Sequence, residues 1–320
     1  ASRRPLLSSH QTPLVGGRAS LRRNSHVTQS RTLPLLALVG VTAIWGVTFV
    51  QVQDALALYP LFAFLAVRFA ISTLVLAPFA WKPLRTMPKE GIAAGLGVGV
   101  LLAVAYGLQT AGLELTTVTS TGFITGLYVV FTPLIAFWLF GTRVPAVAWV
   151  GVGLAVVGLL LLNGVPGGST LGNSLVLGNA VAQSFQIASM ERFAPRYDPR
   201  ALTFLQMTTC FVGFTVIAVA LGEVEVPRGW TVWGALVVTG VFAGALGYLI
   251  ATWVQARTTA ARAALVFTLE APFAALFGVV LADEILGWWG GVGCAVMLTG
   301  IVLAEPAAAR ALRRFVPRGR

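Results

Sequence analysis

LPLLALVGVTAIWGVTFVQV, residues 33–52, runs for twenty residues without one ionisable side chain. At about 1.5 Å of rise per residue, some 20 mainly apolar residues cross the ~30 Å hydrocarbon layer of a bilayer, so the stretch reads as a membrane-spanning helix. Comparable stretches lie at 61–80, 91–109, 118–140, 146–162, 171–190, 201–221, 233–253, 263–281 and 286–304. The gaps are too short for a soluble catalytic domain. Only 10% of the 320 residues are charged and 57% are hydrophobic, whereas a soluble domain carries about 25% charged residues. The sequence therefore predicts an all-α membrane protein of ten transmembrane helices.

The charges lie between the spans and alternate in sign. One set of gaps and tails holds every one of the 22 basic residues except Arg68, inside a span, and Arg228. The gaps between them hold Asp54, Glu114, Glu223, Glu225, Asp283 and Glu284. Basic residues collect on the cytoplasmic side, so both termini are expected there, and topology accounts for the net charge of +11 without any nucleic-acid partner. The basic tails suit anionic lipid headgroups. Residues 1–32 read as a disordered cytoplasmic tail, with an organellar targeting segment as the alternative for their Arg- and Ser-rich, acid-free start. Residues 305–320 form a second basic tail. Cys210 and Cys294 fall inside spans and predict no disulfide. The excess of Arg over Lys, with abundant Ala, Gly and Val, is a compositional hint of a GC-rich bacterial source.

Shifted against itself, the chain repeats its landmarks. Pro60 matches Pro199, Tyr106 matches Tyr248, Thr116-Thr117 matches Thr258-Thr259, Pro133 matches Pro272, and Trp149–Ala155 matches Trp289–Ala295. Two repeats result, 33–162 and 171–304, joined by a linker at 163–170. Five spans per repeat is an odd number, so the second must enter the membrane from the opposite side. Such inverted repeats underlie alternating access.

These features resemble the drug/metabolite transporter superfamily, in its ten-helix EamA-type branch, over nearly everything from Leu35 to Ala304. The resemblance is carried by Ala43-Ile-Trp45-Gly46-Val-Thr48-Phe49, by Arg68, by the Gly-rich fifth and tenth spans, and by Leu269-Glu270-Ala271-Pro272-Phe273. The last is similar to the family's Glu-Pro element, with Ala271 set between acid and proline. The resemblance implies a cytoplasmic-membrane exporter of amino acids or other small metabolites.

Polar side chains in hydrocarbon tend to face the bundle interior or a wet cavity. Thr121, Thr125, Tyr128 and Thr132 make one helical stripe, Asn179, Gln183 and Gln186 a second, and Tyr248, Thr252 and Gln255 a third. Trp45 with Thr48, and Tyr106 with Gln109, are pairs at i, i+3. The alternative is hydrogen bonding between helices. Glu270 and Arg68 are the ionisable groups well inside spans. Together these nominate Trp45, Thr48, Arg68, Tyr106, Gln109, Thr125, Tyr128, Gln183, Gln186, Tyr248, Thr252 and Glu270 as substrate-binding residues, with Glu270 also the candidate proton carrier. Pro272, unable to bond to the carbonyl of Thr268, is expected to loosen the backbone beside that acid.

One charge of each sign among aromatics and amides suits a zwitterionic or amphipathic solute. A nucleotide-sugar or organophosphate exchanger would call for several convergent cations, and a lipid flippase for a groove open to the bilayer. An intramembrane enzyme has little to build on, because His10 and His26 lie in the tail and no Cys/His or paired-acid cluster reaches the spans; a non-transporting scaffold is the remaining alternative. No cofactor or metal is expected. Gly151, Gly153 and Ala155, with Gly291, Gly293 and Ala295, are expected to let backbones approach closely, as are Gly91/Gly95 and Gly240/Gly244, and a homodimer through the fifth or tenth span is compatible with that pattern.

Overall fold

The computed structural model describes residues 32–116, 118–163, 169–281 and 287–304. Both tails, most of the linker, Thr117, Asp283 and Glu284 lie outside the described residues. Helix forms over all ten apolar stretches: α1 (Thr32–Leu56), α2 (Leu61–Thr86), α3 (Lys89–Leu115), α4 (Val118–Gly126), α5 (Tyr128–Phe140), α6 (Ala146–Asn163), α7 (Thr170–Phe193) and α8 (Pro199–Leu221). They continue as α9 (Trp230–Val237), a π-helical stretch (Val238–Gly247), α10 (Tyr248–Gln255), α11 (Ala260–Phe267), α12 (Glu270–Leu281) and α13 (Trp288–Ala304). Seven of the stretches are long and apolar enough to cross a membrane, and 146–161 and 288–303 are shorter apolar helices. The stretch that becomes α7 is not among the seven, in keeping with its Asn, Gln and Ser side chains.

The elements run further than the apolar stretches do. Lys82 and Arg85, expected in a loop, belong to α2, which continues through Pro78 and Pro83 until only Met87 and Pro88 separate it from α3. Long basic side chains permit this because their stems lie along apolar surface while their heads reach water. The Arg85 guanidinium sits 4.6 Å from the Trp81 ring, and that of Arg257 4.4 Å from Trp253. Helix ends are capped from within and from afar. The Asp198 carboxylate accepts from the Arg200 amide, and Gly141 and Gly222 end α5 and α8 at φ of 65° and 72°, where a Cβ would be strained. The carboxylates of Glu223 and Glu191 accept from the amides of Phe62 and Ala260, satisfying first-turn donors of α2 and α11.

Packing repeats itself across the two halves. α2 lies on α8, and α6 lies on α13. The contact of α3 with α7 is matched by that of α1 with α9, the π stretch and α10; α3 with α8 is matched by α2 with the π stretch; α1 with α12 is matched by α7 with α4 and α5. The crossings are close because glycines make them so. A Cβ at Gly99 would lie 2.7 Å from Thr209, and one at Gly240 would lie 2.9 Å from Ile71. Ser72 Oγ donates to the Gly240 carbonyl at 2.7 Å, and Cys210 Sγ faces the Gly99 carbonyl at 3.7 Å. Ser72 and Cys210 each stand twelve residues beyond their helix N-caps, Pro60 and Asp198, so the structural register pairs Pro60 with Asp198 and corrects the sequence match to Pro199 by one residue.

The expected glycine contacts hold only in part. Gly91 and Gly95 abut Tyr197 and Leu205, and Gly244 abuts Ser72. Between α6 and α13, however, the close approaches are Gly300 on the Gly151 carbonyl and Gly158 on the Gly293 carbonyl, while Gly153 and Gly291 face open space. Residues two apart on an α-helix point about 200° apart, so both glycines of each pair cannot meet one partner.

Candidate functional site

Two irregular turns and the π stretch border the middle of the bundle. Between α4 and α5 the ladder tightens: the Leu127 amide donates to the Ile124 carbonyl at 3.1 Å, and Val130 to Leu127 at 2.9 Å, both i to i−3. Between α11 and α12 the same happens at Leu269 to Val266 (3.0 Å) and Ala271 to Thr268 (3.2 Å). Pro272 has no amide to offer the Thr268 carbonyl, which accepts from Ala271 instead, and i to i−4 bonding resumes from Phe273 to Leu269 at 3.1 Å. Tyr128 and Glu270 are the first residues after the two interruptions, and each stands twelve residues beyond the paired threonines Thr116 and Thr258. Short 3₁₀ turns and π stretches inside α-helices recur at functional positions.

Tyr128 and Glu270 line one cavity with an empty volume of about 390 Å³, together with Trp45, Tyr106, Gln109, Thr125, Asn179, Gln183, Ile187, Tyr248 and Phe267. A second cavity of about 400 Å³ shares Trp45, Tyr106, Gln109 and Glu270 with the first and adds Thr48, Phe49, Val52, Arg68, Thr110 and Leu113. Among the described residues, Glu270 is the only acid in either wall and Arg68 the only base.

Each wall residue is held by identifiable contacts. The Trp45 indole donates to the Ala243 carbonyl, inside the π stretch, at 3.0 Å, and its ring lies 5.2 Å from Tyr248 and 5.3 Å from Phe267. Tyr248 Oη donates to Tyr106 Oη at 3.1 Å, so the tyrosines that match between the repeats meet at the centre of the bundle. The Arg68 guanidinium lies 4.7 Å from the Tyr106 ring and 5.4 Å from that of Phe69. Its Nη2 donates to Tyr106 Oη in a long bond of 3.4 Å, and its Nε is buried without an acceptor among the described residues. No ion pair joins Arg68 to Glu270 among those residues. The amides of Gln109 and Asn179 both donate to Thr125 Oγ1, at 3.2 and 3.1 Å, which occupies both lone pairs of that hydroxyl and leaves its proton to donate.

Ten of the twelve nominated residues thus line the two cavities. The other two lie beyond them: Gln186 Nε2 donates to Gln206 Oε1 at 2.9 Å, and Thr252 accepts from Thr203 at 3.0 Å. Asn179, Phe267 and Ile187 join the first wall, and Phe49, Val52, Thr110 and Leu113 the second, without having been nominated. Asn179 stood in its helix's polar stripe and Phe267 lies three residues before Glu270, whereas Ile187 carried no signal. Among the described residues, no three His, Cys, Asp or Glu side chains gather in a way that could hold a metal ion.

The EamA-like transporter family matches this chain twice, over residues 32–164 and 170–304. An uncharacterised transporter of Archaeoglobus fulgidus is 32% identical over 273 residues, covering 84% of this chain and 85% of its own. A WAT1-related chloroplastic protein of Arabidopsis thaliana is 26% identical over 281 residues, covering 82% of this chain and 66% of its own. Among solved structures, one crystal structure superposes with a TM-score of 0.72 at 19% identity, covering 88% of this chain and 99% of that one; at that identity it speaks for the fold alone.

Proposed function

Because this chain belongs to the EamA-like transporter family, a family of multi-pass membrane proteins, we propose that it is an alternating-access secondary transporter exporting small zwitterionic or amphipathic metabolites, such as amino acids, across the cytoplasmic membrane of a bacterium. The observation that carries this reading is the pair of interrupted helices that sets Tyr128 and Glu270 on one central cavity. Interrupted helices in corresponding positions of two repeats are where transporters place their solute sites. The packing partners come in matched pairs, as an inverted repeat requires if the halves are to exchange conformations.

The cavity chemistry supports the solute class. An Arg without a counter-ion inside a membrane helix costs up to about 2.5–3.5 kcal/mol on insertion scales, the full value applying at the helix centre. Arg68 is 4% exposed and has no carboxylate partner among the described residues, so its charge is best used by a solute anion entering the cavity it lines. Glu270 in the same wall faces a solute ammonium or exchanges a proton. A polyphosphate would meet a single cation.

Counterflow tests this reading. Proteoliposomes loaded with unlabelled amino acids and challenged with labelled ones are expected to take up a subset of them; silence across the panel with folded protein would point to phosphorylated metabolites or lipids instead. Arg68→Ala is expected to raise the half-saturating concentration for carboxylate-bearing solutes about 10- to 100-fold, the loss of one charge-assisted hydrogen bond of about 1.5–3 kcal/mol. Solutes whose carboxyl is amidated should be nearly unaffected, and equal losses for both would contradict a carboxylate contact at Arg68.

A further inference from the structure

The wall around Arg68 has a counterpart in the other repeat that is closed. Arg68 and Gln206 each lie eight residues beyond the N-caps Pro60 and Asp198. Ser184 Oγ reaches the Tyr128 carbonyl at 3.3 Å, where Gly46 abuts the Glu270 carbonyl, and two residues further on stand Gln186 and Thr48. Counting from the matched tyrosines Tyr106 and Tyr248, Thr110 pairs with Thr252 and Leu113 with Gln255. The open set, Thr48, Arg68, Thr110 and Leu113, borders about 400 Å³ of empty space.

The other set is zipped shut. Gln186 donates to Gln206 at 2.9 Å, Gln206 donates back to the Leu202 carbonyl at 3.3 Å, and Thr203 bridges to Thr252 at 3.0 Å. Gln255 Nε2 is buried with no acceptor among the described residues. Burying an amide without a partner costs about 1–3 kcal/mol by protein mutational measures, so apolar side chains would serve better if packing were the only role. These residues lie toward the helix ends that carry Arg192, Arg200 and Arg257, opposite the end toward which the Arg68 cavity extends.

We propose that Gln186, Gln206, Thr252 and Gln255 line a second, uncharged solute chamber, closed in this structure, that opens toward those basic helix ends when the chamber at Thr48 and Arg68 closes. The inference rests on the transport reading and adds to it where the solute passes next. The amides offer donors and acceptors to the same polar solute without the charge that Arg68 supplies. Unzipping exchanges the Gln186–Gln206 bond for bonds to water or solute, so it leaves no amide stranded.

Cysteine accessibility tests this. In a Cys294→Ser background, Thr48→Cys, Gln186→Cys and Gln206→Cys are each placed in sealed vesicles of known orientation and treated with a membrane-impermeant maleimide from one side, then the other. The expected result is labelling of Thr48→Cys only from the acidic-loop side, and of Gln186→Cys and Gln206→Cys only from the basic side. A solute active in counterflow should slow labelling at both. Labelling of either glutamine position from the acidic-loop side, or of neither from any side, would overturn the chamber. Sided labelling without counterflow in the parent protein would instead overturn the transport reading and leave the chamber standing. Two independent glutamine positions guard against one variant failing to fold.

Discussion

Glu270→Gln is expected to abolish proton-driven solute accumulation while leaving counterflow in place. Counterflow needs the cavity to open to each side in turn, and glutamine keeps the size and much of the hydrogen bonding of glutamate. Accumulation against a gradient needs a group that carries a proton between the two sides, and Glu270 is the only acid in either cavity wall among the described residues. Its place as the first residue of α12 puts that carboxyl at the interrupted turn, in both cavities at once. Parallel measurement of accumulation under an imposed pH gradient and of counterflow at equal pH separates the two roles. An unchanged pH dependence in the variant would remove the proton from the mechanism; loss of both activities in folded protein would make Glu270 a solute contact alone.

Gly46→Leu is expected to destabilise the protein strongly. A Cβ there would lie 2.7 Å from Phe273 Cβ, 2.8 Å from the Ala274 amide nitrogen and 3.0 Å from the Glu270 carbonyl oxygen. Two of these three atoms are backbone and cannot rotate away, so α1 must separate from α12 beside the cavity. Overpacking of this kind costs about 1–3 kcal/mol, and the upper end corresponds to roughly a hundredfold in the folded fraction. Thermal unfolding in detergent should fall well below that of the parent protein. By contrast, Gly153→Leu on α6, where nothing lies within 4 Å, should leave it nearly unchanged. Similar stability for the two variants would contradict the close crossing at Gly46.

The helical stretches were legible because hydrocarbon tolerates so few polar side chains that the pattern of apolar runs marks helix positions directly. The ends were not, since Lys82, Arg85 and Lys89 sit in helix while their heads reach water. The interruption before Glu270 was signalled by Pro272. The one before Tyr128 had no such neighbour, as Pro133 lies five residues further on, and a π stretch rich in glycine and alanine looks like any other apolar run. Helical spacing located most of the cavity wall, because one polar face of each helix turns inward. It overran at Gln186 and Thr252, whose side chains meet Gln206 and Thr203 on neighbouring helices instead of the cavity. The pairing of Arg68 with Gln206 was invisible in sequence, since the two residue types differ and only the caps align them.

If two halves exchange around the cavity between Tyr128 and Glu270, solute on the far side should speed the return of the carrier. Trans-acceleration measures this as efflux of a labelled counterflow solute from proteoliposomes, with and without the same solute unlabelled outside. A carrier returning loaded is expected to speed efflux, with the acceleration saturating as outside solute rises; efflux indifferent to outside solute would contradict alternating access and leave a pore or a scaffold in its place.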